Sequence, residues 1–79
     1  MERKLKLIWD FRGPVAQKTA RHHEIHLKEY IMTKHLSCKI TGCKDYNEMH
    51  STAYLVVLES EMKSVRDALK PHRGQLFEE

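Results

Sequence analysis

Hydrophobic and polar residues alternate over residues 5–11, whose sequence is LKLIWDF. Every second residue there is large and apolar: Leu5, Leu7, Trp9 and Phe11. Because successive side chains of a strand point to opposite faces, this alternation predicts a half-buried β-strand. Lys6, Ile8 and Asp10 then share the opposite face of that strand.

A longer apolar repeat follows Gly13-Pro14, and its spacing is helical. The repeat comprises six residues that fall on one stripe at about 100° per residue: Ala16, Ala20, His23, Leu27, Tyr30 and Ile31. It predicts a helix from about Pro14 to His35, since proline suits the first turn of a helix. Ile25, Met32 and Leu36 predict a thinner apolar stripe on the opposite side, where a second partner could bind.

Two more strands are predicted after this helix. Residues 38–46, CKITGCKDY, predict a polar strand whose lysines suit a sheet edge, with Gly42 as a bulge position. Residues 52–59, TAYLVVLE, predict a stronger strand that is apolar on both faces. Such a strand is expected at the centre of a sheet that is covered on both sides.

The last third of the chain predicts a second helix and a short final strand. Ser60 is expected to cap the helix, because serine hydroxyls accept hydrogen bonds from free N–H groups of the first turn. Apolar residues repeat at helical spacing at Met62, Val65 and Leu69, and Pro71 ends the helix. Residues 73–79, RGQLFEE, predict the final strand.

The predicted order is therefore β-α-β-β-α-β within a single domain of residues 1–79. With right-handed crossovers, this order gives an α+β, ferredoxin-like split βαβ sandwich: a four-stranded antiparallel sheet with two helices on one face. Ile8 and one set of side chains from residues 53–58 would then lie on the uncovered face. A second copy of the chain is the simplest cover, so we expect a homodimer through the open sheet face.

At fold level the chain resembles the dimeric α+β barrel group of ferredoxin-like proteins, which includes the YCII-related and antibiotic-monooxygenase-like families. The resemblance spans the whole chain and depends on the element order and on the two-sided strand LVVL at residues 55–58. It implies sheets that pack face to face in a homodimer, and it assigns no functional residue. The segments WDFRGP (9–14) and ALKPHRG (68–74) resemble signature segments of a small bacterial family of uncharacterised function.

The chain is mildly basic. It has 14 Lys and Arg against 11 Asp and Glu, which gives a net charge of +3 and a pI of about 9.0. This excess fits weak attraction to anions, and the predicted third strand offers Tyr54 but no basic-aromatic RNA-binding pattern, so we expect no nucleic-acid partner. The N-terminal apolar segment is short and interrupted by Lys6, so we expect no signal peptide, no membrane segment and a cytoplasmic protein.

Polar residues from several strand ends converge at one end of the predicted sheet. The candidate site residues there are Asp10, Arg12, Tyr46, His50, His72 and Arg73. The first helix begins at this end too, and free N–H groups of a helix N-terminus favour an anion. Asp10 or His50 is the candidate base, and Arg12 and Arg73 are the candidate anion holders. The alternative is that these residues are polar only because strand ends and loops usually are.

Three histidines within five positions, His22, His23 and His26, are the second candidate site. His23 lies on the apolar stripe and is either a packed imidazole or a ligand that points at the sheet. His22 and His26 are one helical turn apart, a spacing that can hold a divalent metal, with Glu29 as a third ligand. The alternative is a solvated helix flank, and we expect no other cofactor.

Cys38 and Cys43 have no metal-binding CxxC spacing. On a regular strand, five positions apart, their side chains lie on opposite faces. A bulge at Gly42 would change that, and His35 with Cys38 is another pairing. We interpret them as two reduced, unrelated thiols of a protein without a disulfide scaffold.

These observations leave three functions open, and whether the protein is an enzyme is undecided. The first is a homodimeric protein that binds a small anionic molecule at the strand-end residues. The second is a divalent-metal-binding protein that uses the helix histidines. The third is an interaction module without chemistry, which would use the stripe formed by Ile25, Met32 and Leu36.

Overall fold

The computed structural model describes residues 3–77, and its elements follow the predicted order. Their bounds are β1 (Lys4–Arg12), α1 (Ala16–Lys34), β2 (Thr41–Asn47), β3 (His50–Leu58), α2 (Glu59–Leu69) and β4 (Arg73–Phe77). No helix within these residues is both long enough and apolar enough to cross a membrane.

The four strands form one antiparallel sheet in the order β2-β3-β1-β4. β1 pairs with β3 over its whole length, from Lys4 opposite Leu58 to Arg12 opposite His50. Its other edge pairs with β4 from Lys4 to Ile8. β1 and β3 are therefore the central strands, and β2 and β4 are the edges. The predicted α+β fold class, a split βαβ sandwich, is confirmed.

The hydrophobic core lies between the two helices and one face of the sheet. Its buried members come from every layer: Leu7 and Trp9 of β1, Ala53, Leu55 and Val57 of β3, Ala20, Leu27 and Ile31 of α1, and Val65 of α2. The odd-numbered residues of β1 and β3 thus face the helices, as their alternation predicts. The Trp9 indole N–H donates to the Leu69 carbonyl at 3.0 Å, which satisfies a buried donor and fixes the end of α2 against β1.

The opposite face of the sheet carries no helix, and we call it the open face. Ile8 and Val56 lie on it, yet they are only 4% and 0% exposed within one chain. Their cross-strand neighbours there are Tyr54 and Lys6, whose ammonium lies 4.2 Å from the centre of the Tyr54 ring. Two of the residues that led us to expect a second copy are therefore already shielded in one chain, whereas Tyr54 and Leu58 are half-buried, and the homodimer stays a prediction.

α1 begins at Ala16, two residues later than predicted. Gly13 adopts φ = 113°, a conformation that L side chains rarely adopt, and its carbonyl accepts a hydrogen bond from the Ala16 N–H at 3.1 Å. Residues 13–15 are therefore a turn in which Pro14 precedes the helix. The Gly13 N–H donates to the Met49 carbonyl at 2.8 Å, which joins this turn to the β2–β3 turn.

β2 begins at Thr41, three residues later than predicted, because residues 36–40 return from α1 to the core. Leu36 is buried in the hydrophobic core, so the prediction that it belongs to the second stripe of α1 is wrong. Ile25 and Met32 of that stripe are exposed, and the interaction-module function stays a prediction. The bulge expected at Gly42 lies instead between Asp45 and Asn47.

α2 begins at Glu59, so Ser60 lies inside its first turn and not at the cap. The Glu59 N–H donates to the Arg3 carbonyl at 2.9 Å, which starts the helix directly from the strand ladder. Glu59 and Glu61 favour this start, because acidic side chains stabilise the N-terminal turn. Of the predicted last strand, residues 78–79 lie outside the described residues.

Both helices end in a non-glycine residue with left-handed backbone: His35 at φ = 54° and Lys70 at φ = 49°. The His35 N–H donates to the Ile31 carbonyl in this cap. Glycine adopts this conformation without the steric cost of a Cβ.

We expect His35→Gly to raise the free energy of unfolding by about 0.5–1 kcal/mol, measured by urea denaturation. Lys34→Gly, one residue earlier inside the helix, should lower it by about 1 kcal/mol. Equal effects of the two variants would contradict the cap assignment.

Candidate anion site at the end of the sheet

The Asp10 carboxylate is the centre of a hydrogen-bonded group on the open face. Its Oδ1 lies 2.9 Å from His50 Nε2 and accepts from the Arg73 guanidinium at 3.1 Å, while its Oδ2 accepts from Arg73 Nε at 3.0 Å. Arg73 therefore binds the carboxylate with two parallel hydrogen bonds, a charge-assisted geometry that fixes the guanidinium plane. Side-chain exposure is 19% for Asp10, 17% for His50 and 47% for Arg73.

These hydrogen bonds change the pKa values of Asp10 and Arg73. The hydrogen bonds from Arg73 are the largest influence on Asp10, and with those from His50 they lower the pKa of the carboxyl below 3.8 despite partial burial. The pKa of Arg73 is raised, first by its hydrogen bonds to Asp10 and then by one to Tyr46. Asp10 is therefore ionised at neutral pH. His50 Nε2, which faces this carboxylate, must carry a proton to donate to it, so in the neutral ring Nδ1 is the basic nitrogen.

Tyr46 completes the group on the β2 side. Its ring stacks on the His50 ring with centres 4.8 Å apart and an interplanar angle of 19°. The Lys44 ammonium lies 5.0 Å from the centre of the Tyr46 ring. The irregularity between Asp45 and Asn47 falls beside Tyr46, where bulges commonly redirect side chains.

His72 has a different role from the one expected for an acid–base group. The His72 ring Nδ1 accepts a hydrogen bond from the Asp10 backbone N–H at 2.8 Å. The backbone N–H of His72 donates to the Ile8 carbonyl at 3.0 Å. While Nδ1 accepts that bond, the ring proton lies on Nε2. His72 thus extends the pairing of β4 with β1 by one residue and fixes the start of β4 at Arg73.

Arg12 extends the site toward the tip of the sheet. It is the cross-strand partner of His50 and lies on the same face as Asp10, two residues along β1, with an exposed side chain. α1 begins at this end of the sheet but packs on the other face. Its N-terminal N–H groups therefore lie across the sheet from the Asp10 carboxylate and do not add to the cation group there.

A groove lies beside the strand-end site. It has a volume of about 430 Å³ and runs between α2 and β4 on the helix side of the sheet. Leu5, Met62 and Leu76 are among its apolar lining residues, and it meets the site only through His72 and Arg73. A ligand of Asp10 and His50 would therefore lie across the sheet surface.

His23 packs against the aromatic residues of β1. Its ring centre lies 5.0 Å from that of Trp9 and 5.4 Å from that of Phe11. Its Nε2 is buried and has no hydrogen-bond partner among residues 3–77. Burial, more than the neighbouring histidines, lowers the pKa of His23 below 6.5. This environment matches the packed-imidazole alternative.

The other two helix histidines contact each other on the exposed flank of α1. His26 Nε2 lies 3.1 Å from His22 Nε2, and His26 Nδ1 lies 3.3 Å from a Glu29 carboxylate oxygen. Glu29 thus contacts Nδ1 of the His26 ring, on the side away from the Nε2 atom that faces His22. Between Arg3 and Phe77, no group of three His, Cys, Asp or Glu side chains is arranged to hold a metal ion.

The two cysteines are not joined by a disulfide, and Cys38 is buried. The Cys43 thiol donates to a Glu24 carboxylate oxygen at 3.4 Å. Burial and this carboxylate raise the pKa of Cys43 to about 11. The thiol therefore stays protonated at neutral pH, which makes it a poor nucleophile and a poor metal ligand.

The structure brings five of the six predicted strand-end residues into one contact group: Asp10, Tyr46, His50, His72 and Arg73. Sequence reasoning missed the contribution of Lys44, Lys6 and Tyr54 on the same face. Strand alternation in β1 already indicated Lys6. Lys44 and Tyr54 required the β2–β3 register, which pairs Lys44 with Thr52 and Gly42 with Tyr54.

Comparison with known proteins adds no assignment. No family model matches the chain, and no curated protein or solved structure matches it with significance.

The lowered pKa of His23 predicts how stability depends on pH. Between the folded pKa and about 6.5, the value of the unfolded chain, the unfolded state binds more protons than the folded state. The free energy of unfolding should therefore fall as the pH drops below about 6.5. His23→Leu should reduce this loss, which urea denaturation at pH 7.5 and 5.5 would measure.

The matched control is His35→Asn, which removes an exposed imidazole at a left-handed position that asparagine tolerates. It should lose as much stability between the two pH values as the wild type. If His23→Leu behaves like this control, His23 is not the group that titrates.

Proposed function

We propose that the chain binds a small anionic molecule at the strand-end site formed by Asp10, Arg12, Tyr46, His50, His72 and Arg73. The observation that carries this proposal is the state of Arg73. Two parallel hydrogen bonds to Asp10 hold its guanidinium in one orientation while the side chain remains 47% exposed. Two of its five N–H donors serve Asp10, so others remain for a phosphate or carboxylate.

Two further cations support the same ligand class. Arg12 extends the site at the end of β1, and Lys44 lies over Tyr46 at the other side. Asp10 neutralises part of this charge, which would keep affinity moderate and make it sensitive to salt. If the bound anion reacts, His50 is the candidate base, because Asp10 orients its ring as carboxylates orient other catalytic imidazoles.

A homodimer through the open face remains part of the proposal, with one condition. A two-fold contact sets the same surface of each chain against the other. Arg12, Lys44 and Arg73 would then face identical cations, which opposes association. An anion bound at the strand end would lower that repulsion, so the dimer should form more readily with ligand than without it.

Inorganic phosphate is the simplest probe of the strand-end site. We expect Arg73→Gln to weaken phosphate binding about tenfold, because a two-donor charged contact is lost. Isothermal titration calorimetry at low ionic strength would give the dissociation constants of the variant and of the wild type.

Lys63→Gln is the control, since Lys63 is an exposed residue of α2 on the helix side of the sheet. It removes the same charge and should leave the dissociation constant unchanged. A loss with Lys63→Gln as large as that with Arg73→Gln would mean that phosphate senses only total charge, which contradicts a defined site.

A second candidate function is divalent-metal binding, and the contact between His22 and His26 favours it. A separation of 3.1 Å between their Nε2 atoms is what two ligands of one metal ion require, at about 2.0–2.1 Å from zinc. Glu29 or a residue of a second chain would have to complete the ligand set.

Zinc titration of tag-free protein tests this candidate. If the pair binds zinc, His26→Ala should weaken the affinity at least about tenfold, whereas His35→Ala should not change it. Calorimetry would also give the number of zinc ions per chain. Equal zinc binding by His26→Ala and the wild type would rule the pair out.

A further inference from the structure

The open face of the sheet concentrates positive charge. Strand alternation and register assign its charged residues, of which five are cationic: Lys4, Lys6, Arg12, Lys44 and Arg73. Among the strand residues of this face between positions 3 and 77, Asp10 is the one acid. The remaining described residues carry nine Lys and Arg and seven Asp and Glu, which nearly balance. The net charge of the whole chain conceals this distribution.

This cationic surface is longer than a small anion. Lys4 and Arg12 lie at opposite ends of β1, eight residues apart, which corresponds to roughly 26 Å in an extended strand. A single phosphate can contact the cations of one end only. A ligand that uses the whole face must therefore carry several negative charges along its length.

Aromatic rings accompany the cations on the same face. The Tyr54 ring lies over Gly42, where a Cβ would collide with the tyrosine hydroxyl, and the Lys6 ammonium stands 4.2 Å from its centre. Tyr46 lies against His50 with Lys44 near its ring. The face thus has two tyrosines, each beside a lysine. A nucleotide carries the complementary groups: a flat base that can stack on a tyrosine ring and a negatively charged phosphate that a lysine can bind.

We propose that the open face binds single-stranded nucleic acid, with bases stacked on Tyr54 and Tyr46 and phosphates held by the flanking lysines and arginines. This reverses the expectation, drawn from net charge and sequence pattern, that the chain has no nucleic-acid partner. The inference deepens the proposed function and rests on it at one point: the anion at Arg73 and Arg12 is one phosphate of the strand. Lys6 and Lys44 would move from the tyrosine rings to the phosphates.

Charge complementarity favours this occupant over a second copy of the ligand-free chain, so on the open face the nucleic acid takes the place of the homodimer considered above. Counted over residues 3–77, two open faces packed together would oppose five cations to five cations, with one carboxylate from each side. Ile8 and Val56 at the middle of the face are already buried, and Leu58 and Phe77 at its Lys4 end are half-buried, so the centre of the face offers little apolar contact area to another protein surface. A polyanion with aromatic groups complements both the charge and the rings.

The test measures the binding of fluorescein-labelled twelve-nucleotide oligothymidine and oligouridine by anisotropy over a series of salt concentrations. We expect an affinity at least tenfold higher than that for inorganic phosphate and a strong salt dependence. Lys44→Gln should reduce the salt slope by about one. Tyr54→Leu should weaken binding at least about fivefold while the slope stays unchanged, because stacking is not ionic.

Gly42→Ala is a second test of Tyr54 that keeps the tyrosine. The added methyl group must displace the hydroxyl end of the ring, so binding should weaken as with Tyr54→Leu. Lys63→Gln on α2 is the charge control and should bind like the wild type. Circular dichroism would verify that every variant keeps its fold.

The outcomes separate this inference from the proposed function. If phosphate binds at Arg73 but the oligonucleotides bind no more tightly, the inference fails and the proposed function stands. If neither binds, both fail. If inorganic polyphosphate binds as tightly as the oligonucleotides and Tyr54→Leu has no effect, the face recognises charge alone and the inference fails. A ligand-free dimer in sedimentation that loses its stability in Tyr54→Leu would also overturn it.

Discussion

The carboxylate of Asp10 is the contact on which the end of the sheet depends. It binds His50 of β3 and Arg73 of β4, while the backbone N–H of the same residue donates to His72. One residue of β1 therefore joins three neighbouring strands. A half-buried carboxylate needs charged or hydrogen-bonding partners to remain ionised, so the strands cannot shift without exposing or isolating this group. The geometry that makes the site also fixes the start of β4.

The two central strands contribute side chains to both faces of the sheet. Their alternation places the core residues on the helix side and the polar residues of the candidate site on the open face. Residues such as Trp9 and Leu55 point to the helices and form the core. Their neighbours in the chain, such as Asp10 and Tyr54, point to the open face. Because every second residue changes face, a shift of one position in the pairing would exchange the two sets. The core therefore determines the register that aligns the polar groups.

The sequence was sufficient for the element types and the fold class, because periods of two and of about 3.6 residues record which side chains face the core. It misplaced the element ends, where local geometry decides. Gly13 forms a turn that delays α1, and Leu36 returns to the core and delays β2. Neither the Gly13 turn nor the return of Leu36 to the core is marked by a periodic pattern of apolar residues. The convergence of polar residues at one sheet end was predictable from strand order alone. Alternation separates the two faces of each strand, but which residues of neighbouring strands lie opposite one another requires the cross-strand register, and so the Tyr54 and Lys44 contacts could not be foreseen.

The strand order also determines when the molecule can be completed. β1 lies between β3 and β4, so its pairing with β4 joins residues that are more than sixty positions apart, as in the contact between Asp10 and Arg73. During synthesis β1 emerges first and β4 last, and closing such a long segment is slow. Until β4 arrives, one edge of β1 has unpaired N–H and C=O groups that can recruit another chain. A chain that stops before Arg73 would therefore lose more than a short edge strand: it would expose a template for aggregation.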